Sequence, residues 1–491
     1  MKKKSRRNFL KKSSVFGAGV FIVPRNVLGG TGFTAPSDQL NIAAIGAGGK
    51  GSDIQDSWVS NERVIALCDV HLDGKHGVVQ SIKKHPKARL YEDFREMLDI
   101  EKDLDAVTIS TPDHTHGVIA NNAMNRGLHV YVQKPLTHNI EEARQLTLTA
   151  KKNKVVTQMG NQGGSSVGVQ KIQEWVDNKM IGKINKIYAW TNRPVWPQGF
   201  QMPDNDADKP KNLNWDLWLG PASHTNYSSN LHPFNWRGWW DYGTGALGDM
   251  GCHILDAPYK TLGLHYPTDV ECSVGAVFQK PWSYNYVPKS CPSSSIVTLH
   301  FDKTKKNDSR IKLVWMDGGL KPSHPDLIPA EDYLGEKNST NGILMIGEKG
   351  VISCGVYGLN AKLYRKGKET IHLKTDLIYN KSNNLDTIHH QQWIDACKEG
   401  YGSESFHKLT ASFDYAGPFT ETVLMGNLAI RSYMDIGFQK LKYSDNYVHI
   451  NEYDVFKGRK KLLWDGNNMK ITNFDEANRF VGRERRAGWK L

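Results

Sequence analysis

Short apolar runs rich in β-branched residues alternate with longer amphipathic stretches between Leu40 and Met159. The apolar runs predict six strands, at residues 41–45, 63–68, 89–91, 106–110, 129–132 and 155–159. The amphipathic stretches predict helices between them, at residues 52–58, 78–84, 93–98, 116–126 and 140–152. This alternation predicts a parallel sheet that is covered by helices on its faces.

The pattern changes after Gly160. Five short strand-like runs are separated by polar turns, at residues 296–301, 311–315, 342–346, 350–354 and 361–364. They predict a mainly antiparallel sheet. A helix rich in small and apolar residues is predicted over 419–433, and residues 461–486 are predicted to form a surface extension whose arginines are a solvated or subunit-contact patch. We therefore expect a second, α+β domain with a large, mainly antiparallel open sheet over residues 161–491.

A glycine-rich segment directly follows the first predicted strand. Its sequence, Gly46-Ala47-Gly48-Gly49-Lys50-Gly51, has the spacing G-x-G-x-x-G. A dinucleotide site needs residues without a side chain at the tight turn, at the approach of the pyrophosphate and where the helix packs on the strand. Asp69 ends the second predicted strand eighteen residues after Gly51, where a carboxylate accepts hydrogen bonds from an adenosine ribose.

These features predict an α/β Rossmann domain over residues 37–160 that binds NAD. The predicted cofactor contacts are Gly46, Ala47, Gly48, Gly51 and Asp69. A carboxylate at Asp69 favours NAD over NADP, because a 2′-phosphate would face a negative charge. The alternative for Asp69 is a solvated loop acid.

Two further motifs follow the fourth and fifth predicted strands. They are Ser110-Thr111-Pro112-Asp113-His114-Thr115-His116 and Gln133-Lys134-Pro135-Leu136-Thr137-His138. Open α/β sheets bind ligands at the carboxyl ends of their parallel strands. For His114 and His116 the competing interpretations are metal ligation and solvated loop residues. The pair lacks the nearby thiolate or carboxylate pair that a metal site needs, so no metal is expected.

A second glycine-rich run, at residues 243–248, precedes Asp249 and His253. In a helix that starts near Leu247, these two residues lie four apart on one face, with Asp256 three further along that face. A carboxylate one turn from an imidazole can orient the ring and stabilise its protonated form, which suits a general base. The alternatives are a buried salt-linked pair and a zinc-binding pair.

Together these motifs resemble the glucose-fructose oxidoreductase, inositol dehydrogenase and rhizopine-catabolism (Gfo/Idh/MocA) family of NAD(P)-dependent sugar and polyol oxidoreductases. The first of the three residues Gln133-Lys134-Pro135 departs from the family's usual glutamate. The resemblance implies a homo-oligomer. It also implies catalytic roles for Lys134, Asp249 and His253, and cofactor contacts for Thr111, Pro112, His116 and Lys134.

Seven of the chain's fourteen tryptophans lie within residues 190–240. Such a cluster fits either the core of a large domain or an aromatic floor on which the apolar faces of sugar rings stack. Trp239 and Trp240 lie just before the second glycine-rich run. They are candidate substrate contacts, together with Gln162.

The net charge of +12 is concentrated at the two ends of the chain. Residues 1–37 hold eight basic side chains before the first acid, Asp38, and the last fifteen residues carry a net +4. The nearly neutral body offers no broad phosphate-binding face, so nucleic acid is not an expected partner. The apolar run at 15–23 is too short to span a membrane. The six cysteines are far apart and contain no C-x-x-C pair, which argues against a disulfide scaffold and a structural zinc site.

The amino terminus has the order of an export signal. Ser5-Arg6-Arg7-Asn8-Phe9-Leu10-Lys11 precedes the weakly apolar run, and the segment 1–36 resembles a twin-arginine signal. The alternative is a basic, disordered tail. We expect a periplasmic or exported protein that meets the twin-arginine machinery with its cofactor already bound. Whether the segment is cut or remains as an anchor is left open by the sequence.

The resulting hypothesis is hydride transfer between a hydroxyl of a sugar, glycoside or polyol and a tightly bound nicotinamide cofactor. One alternative is a glycosidase or lyase that uses NAD transiently, by oxidation, elimination, addition of water and re-reduction. The second is a non-catalytic sugar-binding protein that retains a nucleotide site.

Overall fold

The first of two large sheets is parallel throughout. The computed structural model describes residues 35, 38–52, 62–73, 77–204, 208–280, 283–285, 287–375, 384–435, 438–444 and 450–491. Six strands pair in the order β3-β2-β1-β4-β5-β6. They are β1 (Asn41–Ile45), β2 (Arg63–Cys68), β3 (Arg89–Tyr91), β4 (Ala106–Ile109), β5 (His129–Val132) and β6 (Thr157–Met159). This order and the all-parallel pairing confirm the predicted Rossmann architecture.

The strand register brings the candidate motifs together. Ile45 of β1 is paired with Ile109 of β4, and Ile109 is paired with Val132 of β5. These three strands therefore end side by side, because parallel strands in register share one edge of the sheet. The chain order reverses between β1 and β4, which is where open α/β sheets bind their ligands.

Helices cover this sheet close to the predicted positions. They are α1 (Val79–Lys84), α2 (Phe94–Ile100), α3 (Asp113–Asn125) and α4 (Ile140–Asn153). Residues 50–52 are helical directly after the glycine turn, and the rest of the helix predicted over 52–58 lies outside the described residues. Helix α3 begins three residues earlier than predicted, because Pro112 in extended conformation ends the preceding loop and Asp113 occupies the first turn.

The second sheet has ten strands and is mostly antiparallel, as predicted. The strands are β7 (Ile184–Trp190), β8 (Asp269–Val274), β11 (Ser295–Phe301), β12 (Ile311–Met316), β13 (Gly342–Gly347), β14 (Gly350–Cys354), β15 (Lys362–Arg365), β16 (Ile371–His372), β19 (Leu462–Asp465) and β20 (Lys470–Ile471). They pair in the order β16-β15-β14-β13-β7-β12-β11-β8-β19-β20, and within this sheet only the β7/β12 pair is parallel. Two further pairs lie outside it, formed by β9 (Val277–Lys280), β10 (Ser283–Asn285), β17 (Phe438–Ser444) and β18 (Ile450–Phe456).

Helices pack against one another and against this sheet. They are α5 (Val167–Asp177), α6 (Trp215–Leu219), α7 (Gly245–Ile254), α8 (Asp256–Thr261), α9 (Leu385–Glu399), α10 (Glu404–His407) and α11 (Phe413–Asp435). Helix α11 packs on α4, α7 and β8, and so joins the two domains. It begins six residues before the predicted start and contains Pro418 in its second turn. Among the described residues, no helix has both the length and the apolar content that crossing a bilayer requires.

The C-terminal segment is part of the packed fold, which corrects the prediction of a surface extension. Strand β19 adds to the large sheet beside β8. Arg483 donates from Nε to Glu142 Oε1 at 3.0 Å, and its side chain is only 11% exposed. It is therefore not a solvated residue. Arg483 gives Glu142, a fully buried carboxylate on α4, a charged partner, which a buried charge requires.

Candidate functional site

A cavity of about 450 Å³ lies at the carboxyl ends of β1, β2 and β4. It is lined by residues of the glycine turn and of the end of β2, and by Thr111, Pro112 and Thr115. Tryptophans Trp218, Trp236 and Trp489 also line it. The cavity therefore lies at the chain reversal of the Rossmann sheet, where a dinucleotide is expected.

The glycine turn is shaped so that side chains cannot replace two of its glycines. Gly46 has φ +71°, and a Cβ there would lie 2.7 Å from the backbone carbon of Ser110. A Cβ on Gly51 would lie 2.0 Å from the carbonyl oxygen of Gly46. The turn thus needs its first and last glycines for close backbone packing, and the helix that starts at residue 50 points its N-terminus towards the turn.

Asp69 is linked directly to this turn. Its Oδ2 accepts from the backbone N–H of Gly48 at 3.0 Å, and its Oδ1 accepts from the N–H of His71 at 3.1 Å. Burial raises the pKa of the Asp69 carboxyl, although these backbone N–H groups favour its charged form. Asp69 lines the cavity beside the turn. It is a partly buried acceptor held by two backbone N–H groups, rather than the solvated loop acid of the alternative interpretation.

The two candidate histidines after β4 are buried and bonded to the backbone. His116 places Nδ1 2.9 Å from the carbonyl oxygen of Pro135 and Nε2 2.8 Å from that of Thr111. His114 lies between the carbonyls of Tyr242 and Trp218, and burial lowers its pKa to about 3. These contacts rule out solvated loop residues. His116 links the two strand-end loops that carry Thr111 and Lys134, and its predicted contact with the cofactor stays a prediction.

Lys134 and Asp249 meet across the boundary between the two domains. The Lys134 Nζ lies 2.6 Å from Oδ1 of Asp249 and 2.9 Å from its backbone oxygen. The two side chains are 16% and 15% exposed. Burial alone would raise the pKa of Asp249, but the charges of Lys134 and Arg237 outweigh it, so that the pKa is lowered. The lysine and the aspartate are therefore a nearly buried, charged pair.

His253 follows Asp249 by one turn on α7, as predicted, but the expected contact between them is not formed. Among the described residues, its Nδ1 has no hydrogen-bond partner. The Asp249 carboxylate instead faces the ammonium group of Lys134, which is the stronger, charged donor. Burial and the Lys134 charge lower the pKa of His253 well below 6.5. The ring is thus a neutral imidazole at neutral pH.

Asp256 does not continue the face of α7. It starts the next helix, α8, and its Oδ1 accepts from the hydroxyl of Tyr415 at 2.5 Å. Asp256 is almost fully buried. Asp256 therefore supports the packing of α8 on α11 rather than extending the Asp249 and His253 row.

Two site residues were not predicted. The Tyr357 ring lies edge-on to His253, with ring centroids 4.9 Å apart, and its backbone has φ +64°. Arg237 places Nε 3.7 Å from Oδ1 of Asp249 and lines the cavity. Arg237 precedes the second glycine-rich run and could have been suspected for that reason. Tyr357 lies 104 positions after His253, between Gly355 and Gly358, and only the flanking glycines signalled an unusual turn.

The tryptophan prediction needs correction. Trp239 and Trp240 are 2% and 6% exposed and pack in the hydrophobic core. Burial of both indole rings against other apolar groups stabilises the core, so these two tryptophans serve packing. Gln162 is partly exposed in a 3₁₀ turn after β6. The adjacent Gly163 lies against Tyr357, since a Cβ there would lie 2.9 Å from the Tyr357 Cα, so Gln162 stays a candidate substrate contact.

Comparison with known proteins agrees with this geometry. Residues 40–161 match the NAD-binding Rossmann fold of the Gfo/Idh/MocA oxidoreductase family, and residues 165–285 match the family's C-terminal α/β domain. The α-N-acetylgalactosaminidase of Shewanella oneidensis is 30% identical over 361 residues, which are 67% of this chain and 75% of that protein. The chain belongs to the Gfo/Idh/MocA oxidoreductase family.

Other relatives of this Gfo/Idh/MocA protein carry dehydrogenase names. The levoglucosan dehydrogenase of Pseudarthrobacter phenanthrenivorans is 25% identical over 171 residues, 35% of this chain and 36% of that protein. The WlbA dehydrogenase of Bordetella pertussis, solved with NADH and UDP-GlcNAcA, covers 80% of this chain and 97% of its own at 12% identity and a TM-score of 0.53. That structural likeness confirms the fold.

The Gfo/Idh/MocA chain has an NAD-binding Rossmann domain. The residues present fit the cofactor, because the turn at Gly46 and Gly51 leaves room only for backbone and Asp69 offers a partly buried carboxylate beside it. The contacts predicted for individual residues with NAD stay predictions.

Proposed function

We propose that the protein oxidises a secondary hydroxyl of a sugar, glycoside or polyol at the Lys134, Asp249 and His253 site. The observation that carries this proposal is the nearly buried Lys134–Asp249 ion pair one helical turn from His253, whose Nδ1 has no hydrogen-bond partner among the described residues. Bound NAD supplies a hydride acceptor. The hydroxyl proton leaves to His253 and the carbinol hydrogen leaves as a hydride, so that one ketone and one reduced nicotinamide form.

His253 is suited to the base role. Burial and the Lys134 charge keep its pKa low, so the ring is neutral and has a lone pair available at neutral pH. Its Nδ1 makes no hydrogen bond within the described part of the chain. The edge contact with Tyr357 fixes the plane of the ring without occupying that nitrogen.

Lys134 is suited to stabilise the reacting oxygen. An ammonium group held in a nearly buried position is a strong hydrogen-bond donor to an oxygen that gains negative charge. Asp249 holds it by two contacts from Nζ, one to Oδ1 and one to the backbone oxygen. Asp249 therefore positions the lysine, and it does not orient the histidine directly.

Replacement of His253 tests the assignment. The His253→Ala variant is expected to bind NAD as the wild type does, with nicotinamide reduction lowered about 100-fold to 10,000-fold. The matched control is His324→Ala, since His324 is an exposed histidine hydrogen-bonded to the carbonyl of Asp332. Turnover of His253→Ala at the wild-type rate would overturn the role of the imidazole.

A second candidate function is an NAD-using glycosidase. The favouring observation is the 30% identity to an α-N-acetylgalactosaminidase over two thirds of this chain. Oxidation of a ring hydroxyl acidifies the neighbouring C–H. A base would then take that proton, the aglycone would leave with the bonding electrons, and water would add. Bound NAD would supply the initial oxidation and the final reduction, with no net change in its redox state.

The two functions differ in their redox balance. A dehydrogenase accumulates reduced nicotinamide in proportion to sugar oxidised. A glycosidase of this type releases nitrophenol from a nitrophenyl glycoside, needs NAD for it, and shows no net change in nicotinamide absorbance. Each result excludes the other as the main activity.

We further infer export through the twin-arginine route with NAD already bound. The support is the arrangement of Arg6 and Arg7 before an apolar run, a segment that lies outside the described residues. Free NAD is scarce outside the cytoplasm, so a second sugar or keto-sugar would regenerate the retained cofactor in a ping-pong cycle. Replacement of both arginines by lysine should trap the protein in the cytoplasm, and continued export would contradict the proposal.

We also propose that the protein forms a homo-oligomer. Sedimentation of the purified protein tests this proposal, and a monomer would contradict it.

A further inference from the structure

The C-terminal end of the chain reaches the nucleotide cavity. Trp489, the third-last residue of the sequence, lines it together with Asp69, Glu92, Asp93 and Phe94. These residues surround the carboxyl end of β2, where Asp69 is positioned to meet the adenosine ribose. Trp489 therefore lies at the end of the cavity where the adenosine is expected, and Lys134 is not among the residues that line this cavity.

The indole of Trp489 is held firmly in this place. The Arg95 guanidinium lies 4.6 Å from the ring centroid, and the Phe94 ring is 6.0 Å away. On another side, the ring approaches Gly220, where an added Cβ would lie 3.6 Å from it. Its backbone N–H donates to the carbonyl of Arg486 at 3.2 Å. The side chain is buried, so it forms a rigid wall.

Residues 481–489, here called the C-terminal strap, bind both domains on the way to Trp489. On the Rossmann side, the carbonyl of Val481 accepts from the N–H of Glu141, and Arg483 pairs with Glu142. On the other side, Arg486 donates from Nε to the carbonyl of Gly220 at 2.8 Å and from its backbone N–H to Pro221 at 3.1 Å. The strap is therefore bonded to both domains, and its Trp489 lines the cavity.

We propose that Trp489 forms a wall of the adenosine subsite and that the C-terminal strap slows the release of NAD. A buried aromatic wall contributes by stacking or edge contact with a base. This inference rests on the proposed retention of NAD. It assigns that retention to a segment outside the residues that match the two family domains.

The test compares ligands that fill different ends of the site. In Trp489→Ala, the dissociation constants for AMP and NAD should rise about tenfold, as expected for loss of one aromatic contact with a base. The dissociation constant for nicotinamide mononucleotide, which lacks adenosine, should not change. Trp489→Phe should restore most of the AMP affinity. Lys490→Ala, at an exposed neighbouring position, serves as the matched control.

A second measurement uses the wild-type protein, in case the alanine variant does not fold. Hydrogen exchange of the amides of residues 483–489 should slow when AMP is added and should not change with nicotinamide mononucleotide. The inference is overturned if Trp489→Ala binds AMP with the wild-type affinity, or if AMP does not change the hydrogen-exchange rates of the strap amides. If the wild-type protein loses NAD during purification, the proposed retention fails, while the AMP comparison still decides the role of Trp489.

Discussion

Lys134 and Asp249 form an ion pair that joins the nucleotide-binding domain to the second domain, with Nζ 2.6 Å from Oδ1. Lys134 lies in the loop after β5, and Asp249 lies in the second turn of α7. The pair holds the loop after β5 against helix α7. Its charges also control the protonation of His253, because the lysine lowers the pKa of that imidazole and the aspartate raises it.

Lys134→Met is expected to lower kcat about 100-fold to 1,000-fold, because the developing charge on the reacting oxygen loses its donor. NAD affinity should fall far less than kcat, since the glycine turn and Asp69 remain even if the predicted Lys134 contact with the cofactor is lost. Steady-state kinetics and titration with NAD measure the two effects. Lys183→Met, at an exposed lysine paired with Asp308, is the control. Unchanged kcat would show that Lys134 has no part in the reaction.

The pH profile of kcat/KM should have its acidic limb below pH 6.5. Burial and the Lys134 charge lower the pKa of His253, so protonation of the base needs a lower pH than for free imidazole. The limb should move to higher pH in Lys134→Met and to lower pH in Asp249→Asn, because the two charges act in opposite directions. A limb at or above pH 6.5 in the wild type contradicts the assignment.

Asp69→Ala should weaken NAD binding about tenfold to 100-fold, as expected when a charged acceptor is lost. The preference for NAD over NADP should narrow, because the carboxylate no longer repels a 2′-phosphate. Titration with both cofactors measures the ratio. Asp73→Ala, which removes an exposed acid of the same loop, should leave the ratio unchanged. A wild-type ratio in Asp69→Ala would show that another group selects the cofactor.

Arg483→Ala should lower the free energy of unfolding by about 1–3 kcal/mol, because the buried Glu142 would lose one of its two arginine partners and keep only Arg485. Chemical denaturation followed by circular dichroism provides the value. In Arg479→Ala, which breaks an exposed pair with Asp435, the change should stay within about 1 kcal/mol. Equal stability of the two variants would mean that the C-terminal segment is peripheral after all.

The Rossmann sheet could be predicted because its strands are short apolar runs and the turn at Gly46 follows the first of them. The second sheet was predicted only in outline. Its central strand β7 mixes Asn185, Lys186 and Tyr188 with apolar residues, so local periodicity did not reveal it. The start of α11 was missed because Pro418 indicates a helix boundary, whereas it lies in the second turn.

Long-range partners account for the other differences. Arg483 resembles a surface residue until Glu142, 341 positions earlier, is known to lie against it. Helical spacing predicts that Asp249 orients His253, but the Asp249 carboxylate is hydrogen-bonded to Lys134 instead, 115 positions before Asp249. Such competition between partners cannot be resolved from spacing along one helix.

The most direct test of the central proposal follows the hydrogen itself. The holoenzyme is mixed with sugars and glycosides deuterated at individual carbinol carbons. The nucleotide is then released by denaturation, and its mass is measured by mass spectrometry. Deuterium should enter the nicotinamide from one labelled carbon, and this transfer of deuterium should be lost in His253→Ala. Conversion of a sugar without deuterium in the nicotinamide from any position would contradict the central proposal.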